Sequence, residues 1–373
     1  MKLNLKKLLE SSALKLIIAL LLGFIVGAIA IAAAGYNPIL AYKALFGGIF
    51  DSPKNISTLI IKATPLICTG LSVAFAFKTG LFNIGAEGQY IVGCICAVLA
   101  GKFLNLPAAL HIPVVFLCAL AGGALWGAIS GFLKSALGIH EVISGIMLNW
   151  IALYLQNFLI TLSWLKKPGS ESSYEVLSSA RITLLGEWKM SKEGMAWCKS
   201  NGEIGKALLK SDVNFGILIA IVAAIVVAFI LRRTTFGFRL RAVGSNKDAA
   251  MAAGINVKRN TVASMAIAGA LSALAGCIAV TGASPFRIST LSVMEGFGFD
   301  GMSVALIASS SPIGCIFSAT LLAGLRYGGQ HMQNSMGVPS EVVSIMLGTI
   351  VFFIAIAECI SLISRRISAR RTK

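Results

Sequence analysis

The stretch Val213–Leu231, VNFGILIAIVAAIVVAFIL, contains no charged residue. A helix needs about 20 apolar residues to cross the hydrocarbon core of a bilayer, and this run has that length. Three further charge-free runs are at least as long: Leu16–Ala34, Val142–Leu165 and Thr261–Pro285. These four runs predict an integral membrane protein built from helices.

Composition extends this prediction to most of the chain. Hydrophobic residues make up 57% of the 373 residues and charged residues 13%, whereas soluble domains are roughly 45–50% apolar. Further apolar runs with single polar interruptions are Ile56–Phe77, Ile84–Ala100, Leu104–Phe132, Met302–Leu325 and Val342–Ile363. Ser309–Gly314 interrupts one of them and predicts two short helices joined by a turn. We expect an all-α, polytopic membrane bundle of about ten transmembrane helices, discontinuous near the centre, forming a single domain over residues 1–373.

The net charge of +17 is concentrated in three regions. These are Lys2, Lys6, Lys7 and Lys15 before the first span, Arg365, Arg366, Arg370, Arg371 and Lys373 after the last, and Arg232, Arg233, Arg239, Arg241, Lys247, Lys258 and Arg259 in one internal loop. Loops rich in Lys and Arg remain on the cytoplasmic side. We therefore expect both termini and the 232–259 loop in the cytoplasm, which requires an even number of spans, and the charge-balanced 166–212 loop outside.

Several motifs exclude other classes of protein. Gly296–Gly301 matches the dinucleotide fingerprint, but it lies between membrane-length helices and not in a βαβ unit. The chain has no phosphate-binding P-loop. Its three histidines lack metal-ligand spacing, and only Cys198 falls in the outer loop, so neither a metal site nor a disulfide framework is expected. Small residues at Gly123, Gly127 and Gly131 predict close helix packing.

Polar residues at membrane depth are the main functional signal, because they are costly there. Gly80-Leu81-Phe82-Asn83-Ile84-Gly85-Ala86-Glu87-Gly88-Gln89 ends one apolar run and opens the next. It predicts either a helix broken within the bilayer, whose free backbone N–H groups bind a solute, or a tight turn at the membrane surface.

Two other segments share this signal. In Glu141–Trp150, Asn149 and Ser144 could line a pore or could hydrogen-bond to neighbouring helices. Gly296–Gly301, which contains Asp300, is a second glycine-rich break in the other half of the chain. Paired interruptions of this kind indicate a transporter with a central path.

The basic loop contains the pattern of a short capped helix. Ser245 or Asn246 can act as N-cap, Asp248 suits the first turn, and Gly254 can end the helix. A helix with such small side chains could dock in a groove of a partner, or the segment could be a solvated linker.

The stretch from Pro65-Leu66 through Gly70-Leu71 to Gly80–Gln89 resembles the permease subunits of ABC importers, in the branch for nucleosides and simple sugars, and so do Glu141–Asn149 and Arg241–Ile255. Gly298-Phe299-Asp300-Gly301 and Val338-Pro339 continue the likeness over nearly the whole chain. That branch is related to the ribose and branched-chain amino acid permeases. The outer loop departs from the family between Leu185 and Lys210, where it is longer and more charged; it could contact the solute-binding lipoprotein or be a tolerated insertion.

The resemblance implies a permease of the bacterial cytoplasmic membrane that forms half of a translocation path. Its partners would be an ABC ATPase that holds ATP and Mg²⁺, a second, homologous permease and an extracytoplasmic solute-binding lipoprotein; no cofactor would bind this chain. Residues expected on the path are Phe82, Asn83, Glu87, Gln89, Asn149 and Asp300. Residues expected to couple to the ATPase are Arg241, Gly244, Asn246, Asp248, Ala249, Ala250, Ala253 and Gly254.

The amide and aromatic side chains favour a neutral, ring-bearing cargo, with nucleosides ahead of ribose-like sugars. An ion-coupled secondary transporter is an alternative, with Glu87, Glu141, Asp300 and Glu358 as proton or cation sites. A membrane-embedded enzyme would need a catalytic cluster, and the sequence offers none.

Overall fold

The computed structural model describes residues 12–371, with side chains for 16–186 and 188–356. Sixteen α-helices and no named strand occur in this range. The helices are α1 (Ser12–Ala33), α2 (Pro38–Phe50), α3 (Pro53–Phe77), α4 (Ala86–Phe103), α5 (Ala108–Leu137), α6 (Glu141–Thr161), α7 (Gly186–Met190), α8 (Lys192–Ser200), α9 (Gly202–Lys210), α10 (Gly216–Arg233), α11 (Thr235–Ser245), α12 (Lys247–Ala252), α13 (Val257–Gly282), α14 (Phe297–Ile307), α15 (Pro312–Met336) and α16 (Ser340–Arg371).

Six of these helices are long and apolar enough to cross a membrane: α1, α3, α5, α6, α10 and α13. The all-α, polytopic membrane fold expected from composition is confirmed. Helix α4 has 18 residues but begins with a polar turn, and α2 and α14 are shorter apolar helices. The lysines predicted as a cytoplasmic N-terminal cluster, the C-terminal arginines, Glu358 and Cys359 have side chains outside the described set.

The chain divides into two compact units, so the single domain expected over residues 1–373 stays a prediction. The first unit comprises the described parts of residues 1–51 and 321–373. In it α1 packs against α16, and the Tyr42 hydroxyl donates to the carbonyl of Phe24 at 2.5 Å. The Tyr36 hydroxyl connects the two segments of this unit by donating to the carbonyl of Gly337 at 2.9 Å.

The second unit, residues 52–320, is organised around α13, which packs against α3, α4 and α5. Polar side chains connect these helices at membrane depth. The Ser72 hydroxyl donates to the carbonyl of Ala268 at 2.6 Å, and the Ser272 hydroxyl donates to the carbonyl of Ala86 at 2.7 Å. Such interhelical bonds satisfy groups that would otherwise be unpaired in hydrocarbon.

The glycine stripe of α5 lies against α13, as the sequence predicted. A Cβ on Gly123 would lie 2.5 Å from the carbonyl oxygen of Gly269, and one on Gly131 would lie 2.9 Å from the Cα of Val262. A Cβ on Gly127 would collide with the carbonyl oxygen of Met265. The two backbones can approach this closely only because no side chain stands between them.

We predict that Gly127→Ala lowers the melting temperature of the purified protein by several degrees. Overpacking against fixed backbone costs about 1–3 kcal/mol, and roughly 1 kcal/mol shifts a large domain by 2–4 °C. Gly348→Ala is the matched control, because a Cβ there meets nothing within 4 Å. Equal melting temperatures for the two variants would contradict the packing described here.

The interruption at Ser309–Gly314 is confirmed as a turn between two helices. Helix α14 ends at Ile307 and α15 begins at Pro312. Ser309 and Ser310 both adopt positive φ, 48° and 55°, which ends helical geometry. The membrane segment predicted over 302–325 is therefore a half-helix followed by a longer helix.

The 166–212 loop has structure of its own. It contains the short helices α7, α8 and α9, and Cys198 is fully buried among them. The loop pairs with the segment after α13: Ser173 N–H donates to the carbonyl of Ile288 and Val176 N–H donates to the carbonyl of Phe286, both at 2.9 Å. We call this end of the second unit the long-loop side, and the end with α11 and α12 the basic-loop side.

Candidate functional site

Two helices begin inside the second unit, level with the middle of α13. The segment between α3 and α4, residues 78–85, is called the elbow here; it ends where Ala86 meets Ser272. Helix α14 begins at Phe297, and the φ of +88° at its N-cap Gly296 allows the chain to turn into the helix. The structure places both glycine interruptions at helix starts within the second unit, and the position of the elbow, within the bilayer or at its surface, stays a prediction.

Glu87 joins the two helix starts. Its carboxylate oxygens accept from the N–H groups of Gly296 at 2.7 Å and Gly298 at 2.5 Å, and its side chain is fully buried. A helix N-terminus has unpaired N–H groups and a partial positive charge, so a carboxylate is the complementary partner. Glu87 thus caps α14 from the first turn of α4.

Asn149 of α6 holds the other side of the elbow. Its Oδ1 accepts from Gly88 N–H at 2.7 Å, and its Nδ2 donates to the carbonyl of Ile84 at 2.9 Å. The side chain is 1% exposed. The sequence left two roles open for Asn149, lining a pore or hydrogen-bonding to a neighbouring helix, and the structure shows the hydrogen bonds.

Asn83 and Gln89 bind each other. Asn83 Nδ2 donates to Gln89 Oε1 at 2.8 Å, and Gln89 Nε2 donates to Asn83 Oδ1 at 3.0 Å. Asn83 Nδ2 also donates to the Ser72 hydroxyl at 3.0 Å, which connects the pair to α13. Both amides are buried, so they stabilise the elbow; a direct contact of either with a solute stays a prediction.

The remaining two expected path residues lie at the edges of this cluster. Phe82 is half-buried, and its ring lies 5.2 Å from that of Phe77. Asp300 is in the first turn of α14 and is 9% exposed. The structure thus gathers all six predicted path residues around the starts of α4 and α14.

An ion pair that the sequence did not suggest supports the elbow from the side. Lys134 of α5 donates to the carboxylate of Glu141 at the start of α6. The other carboxylate oxygen of Glu141 lies 3.5 Å from Phe82 N. Lys134 lies just after the apolar run Leu104–Phe132, and nothing in the sequence around it indicates its partner.

The basic loop forms two helices, α11 and α12, where the sequence predicted one. Asn246 is the N-cap of α12, accepting from the N–H groups of Asp248 and Ala249 at 3.0 Å each, and Gly254 ends the helix with φ of +78°. Ala250 is 4% exposed and packs inward. The other expected coupling residues are exposed: Arg241, Gly244, Asn246, Asp248, Ala249, Ala253 and Gly254.

Gly244, near the end of α11, lies directly on the elbow. A Cβ on Gly244 would lie 2.9 Å from the carbonyl carbon of Thr79 and 3.0 Å from Gly80 N. Burial lowers the pKa of the elbow residue Lys78, and the nearby guanidinium groups of Arg232 and Arg241 lower it further. The basic loop is therefore in mechanical and electrostatic contact with the segment that joins α3 to α4.

A cavity of about 270 Å³ opens on the long-loop side between α4, α13 and the segment 283–297. Residues that the sequence did not single out line it, among them Tyr90, Gln156, Arg287, Glu295 and Phe297. They are far apart in the chain, so no local motif unites them. The available signal was an ionisable residue, Arg287, directly after an apolar run.

The family model of the permease component of branched-chain amino acid transport systems matches residues 55–355. The guanosine ABC transporter permease protein NupP of Bacillus subtilis is 37% identical over 95% of this chain and 96% of its own length. The nucleoside ABC transporter permease protein NupB of Lactococcus lactis is 38% identical over 91% of this chain and 90% of its own. The glucose ABC transporter permease protein TsgB13 of Haloferax volcanii is 29% identical over 92% and 87%.

Proposed function

This chain belongs to the family of branched-chain amino acid transport system permease components, and from that membership we propose that it forms half of the path of a nucleoside through an ATP-driven importer. It is a multi-pass membrane protein of a permease family, and its proposed role is translocation, with ATP hydrolysis on a separate subunit. A nucleoside is proposed as the cargo because the chain is similar to a guanosine permease and a nucleoside permease over more than nine-tenths of its length.

The geometry supports a path beside the two broken helices. Discontinuous helices near the bilayer midplane commonly form solute sites in transporters, because their ends place backbone polar groups at depth. In this chain Glu87 already occupies the N–H groups that start α14. The groups left for a solute are therefore the neighbouring aromatic and polar side chains.

The exposed surface of α11 and α12 is the proposed contact with the ATPase. The small or short side chains at Ala249, Ala253 and Gly254 allow a partner to approach closely, and Arg241 adds charge. ATP and Mg²⁺ would bind to that partner. The motion that follows ATP binding would reach the membrane through Gly244, which lies on the elbow.

The distribution of charge sets the proposed orientation. The basic-loop side faces the cytoplasm by the positive-inside rule, with both termini on the same side. The 166–212 loop then lies outside, where its helices α7–α9 provide a surface for a solute-binding lipoprotein. A second, homologous permease subunit would complete the path.

A simple sugar is the second candidate cargo, favoured by the similarity to the glucose permease of Haloferax volcanii. An ion-coupled transporter would need free carboxylates at depth. The carboxylate of Glu87 is bound by two N–H groups and that of Glu141 by Lys134, which argues against both residues as ion sites.

Uptake assays test the proposal. We expect cells whose only nucleoside importer contains this chain to accumulate labelled guanosine and uridine, and to lose that uptake when the chain is deleted. In vesicles the same uptake should require ATP and the ATPase subunit. Uptake driven by an ion gradient without ATPase, or accumulation of glucose or ribose without any nucleoside, would overturn it.

A further inference from the structure

The long-loop cavity is separated from the elbow by the Glu87 cap. Its floor is formed by Tyr90 and Phe297, each within three residues of a group in that cap. Its walls are the end of α13, Gln156 of α6 and the segment 283–295. All of these residues belong to the second unit, and the cavity lies entirely within it.

The floor carries an aromatic pair. The rings of Tyr90 and Phe297 lie 5.0 Å apart at an interplanar angle of 32°. Tyr90 is 3% exposed and is fixed by packing, so the half-buried ring of Phe297 provides most of the accessible aromatic surface. A flat aromatic surface of this kind suits stacking against a heterocyclic base, which gains about 1–3 kcal/mol in aromatic sites for nucleic-acid bases.

The walls carry hydrogen-bonding groups of both kinds, donors and acceptors, and charges of both signs. Glu295, an exposed residue, contributes a carboxylate to the lining. Gln156 is 3% exposed, and its amide is fixed by donating to the carbonyl of Ser289 at 3.0 Å. One cation, Arg287, and one anion, Glu295, line the same space. Their charges oppose each other, so the cavity favours a neutral polar solute over an ion.

Arg287 has an unused donor. Its Nη1 lies 3.9 Å from Glu175 Oε1, but its Nε is buried and has no hydrogen-bond partner among the described residues. A buried N–H without an acceptor is costly, and native structures rarely keep one without a reason. A base or sugar oxygen would supply the missing acceptor once the Arg287 side chain turned Nε toward the cavity.

We propose that this cavity is a binding site for one nucleoside on the long-loop side of the permease, with the base against Tyr90 and Phe297 and the sugar hydroxyls near Glu295. The proposal rests on the nucleoside cargo argued above. The volume of about 270 Å³ lies just below the ~300–1,000 Å³ typical of small-molecule sites, which suits a solute as small as one base and one sugar. In the proposed orientation the site opens to the outside, above the Glu87 cap.

Glu295→Gln tests the site without loss of volume. We expect it to raise the KM for guanosine uptake by about tenfold or more with little change in maximal rate, because a hydrogen bond to a charged group is lost. Glu171→Gln is the matched control: Glu171 is exposed, pairs with Lys166 and lies outside the cavity. Its KM should equal that of the wild type.

Ala279→Phe tests the space itself, because Ala279 is in the cavity wall. We expect it to reduce nucleoside uptake at least tenfold while the chain still inserts and assembles with its partners. Ala109→Phe, an equal addition on the exposed first turn of α5, should leave uptake unchanged.

A binding assay needs no transport. Ser289→Cys places a thiol at the exposed wall, and its labelling by a maleimide can be followed in the purified chain by mass spectrometry of the peptide that contains position 289. Guanosine should slow the labelling, and ribose should slow it less. Equal labelling with and without guanosine overturns the site.

The two proposals fail differently. If the wild type takes up no nucleoside, the proposed cargo is wrong, and the proposed binding site is wrong with it. Normal nucleoside uptake in the wild type, with unchanged KM in Glu295→Gln and unchanged rate in Ala279→Phe, overturns the site alone.

Discussion

Glu87→Ala is expected to abolish uptake and to lower the melting temperature of the purified chain by roughly 10 °C. The substitution leaves two N–H groups at the start of α14 buried without an acceptor, at about 1–3 kcal/mol each. A loss of roughly 1 kcal/mol lowers the melting temperature of a large domain by about 2–4 °C. Differential scanning fluorimetry in detergent, with uptake measured in parallel, checks both effects.

Two comparisons make this result specific. Glu87→Gln keeps one carbonyl acceptor and should fall between the wild type and the alanine variant. Glu171→Ala removes an exposed carboxylate, whose side chain is 78% accessible, and should change little. If Glu87→Ala lost uptake at an unchanged melting temperature, Glu87 would act on the solute directly; unchanged uptake and melting would refute the cap.

The second large effect is expected for Gly244→Val. The added atoms would collide with the backbone of Thr79 and Gly80, so α11 must move away from the elbow. We expect uptake to fall to background while the ATPase still copurifies, since the exposed surface of α12 is untouched. Uptake and ATPase copurification, measured on the same membranes, test whether transport is lost while the ATPase stays bound.

Two further substitutions supply the controls for Gly244. Gly348→Val adds the same atoms outside α11 and α12, at a position where a Cβ meets nothing within 4 Å, and should transport normally. Ala249→Trp adds bulk to the exposed surface of α12 and should abolish copurification of the ATPase. If Gly244→Val lost the ATPase as Ala249→Trp does, Gly244 would belong to the docking surface and not to the elbow contact.

These two sites describe one chain of contacts through the second unit. The basic loop touches the elbow at Gly244, the elbow leads into the first turn of α4, and Glu87 in that turn holds the start of α14. A displacement of α11 is therefore expected to reach the floor of the long-loop cavity through these contacts. This is a mechanical route from the proposed ATPase contact to the proposed nucleoside site.

The sequence alone determined the class of the protein and the position of its interruptions. Long charge-free runs such as Val213–Leu231 allow few structures other than membrane helices, because backbone groups in hydrocarbon must be paired within the segment. The capped helix at Asn246–Gly254 was also predicted, since capping is a local interaction between residues two or three apart. The sequence also located the elbow, from its glycines, and the turn at Ser309, from its serines, proline and glycine.

Tertiary structure decided what the polar residues do. Asn83, Glu87, Gln89 and Asn149 were expected to line a path, and each is bound to another protein group. The partner of Glu87 is more than 200 residues away, and that of Asn149 lies on a different helix. A hydrogen-bonding side chain has the same appearance in a sequence whether it faces a solute or a helix end; only the packing of α4, α6 and α14 around α13 selects its partner.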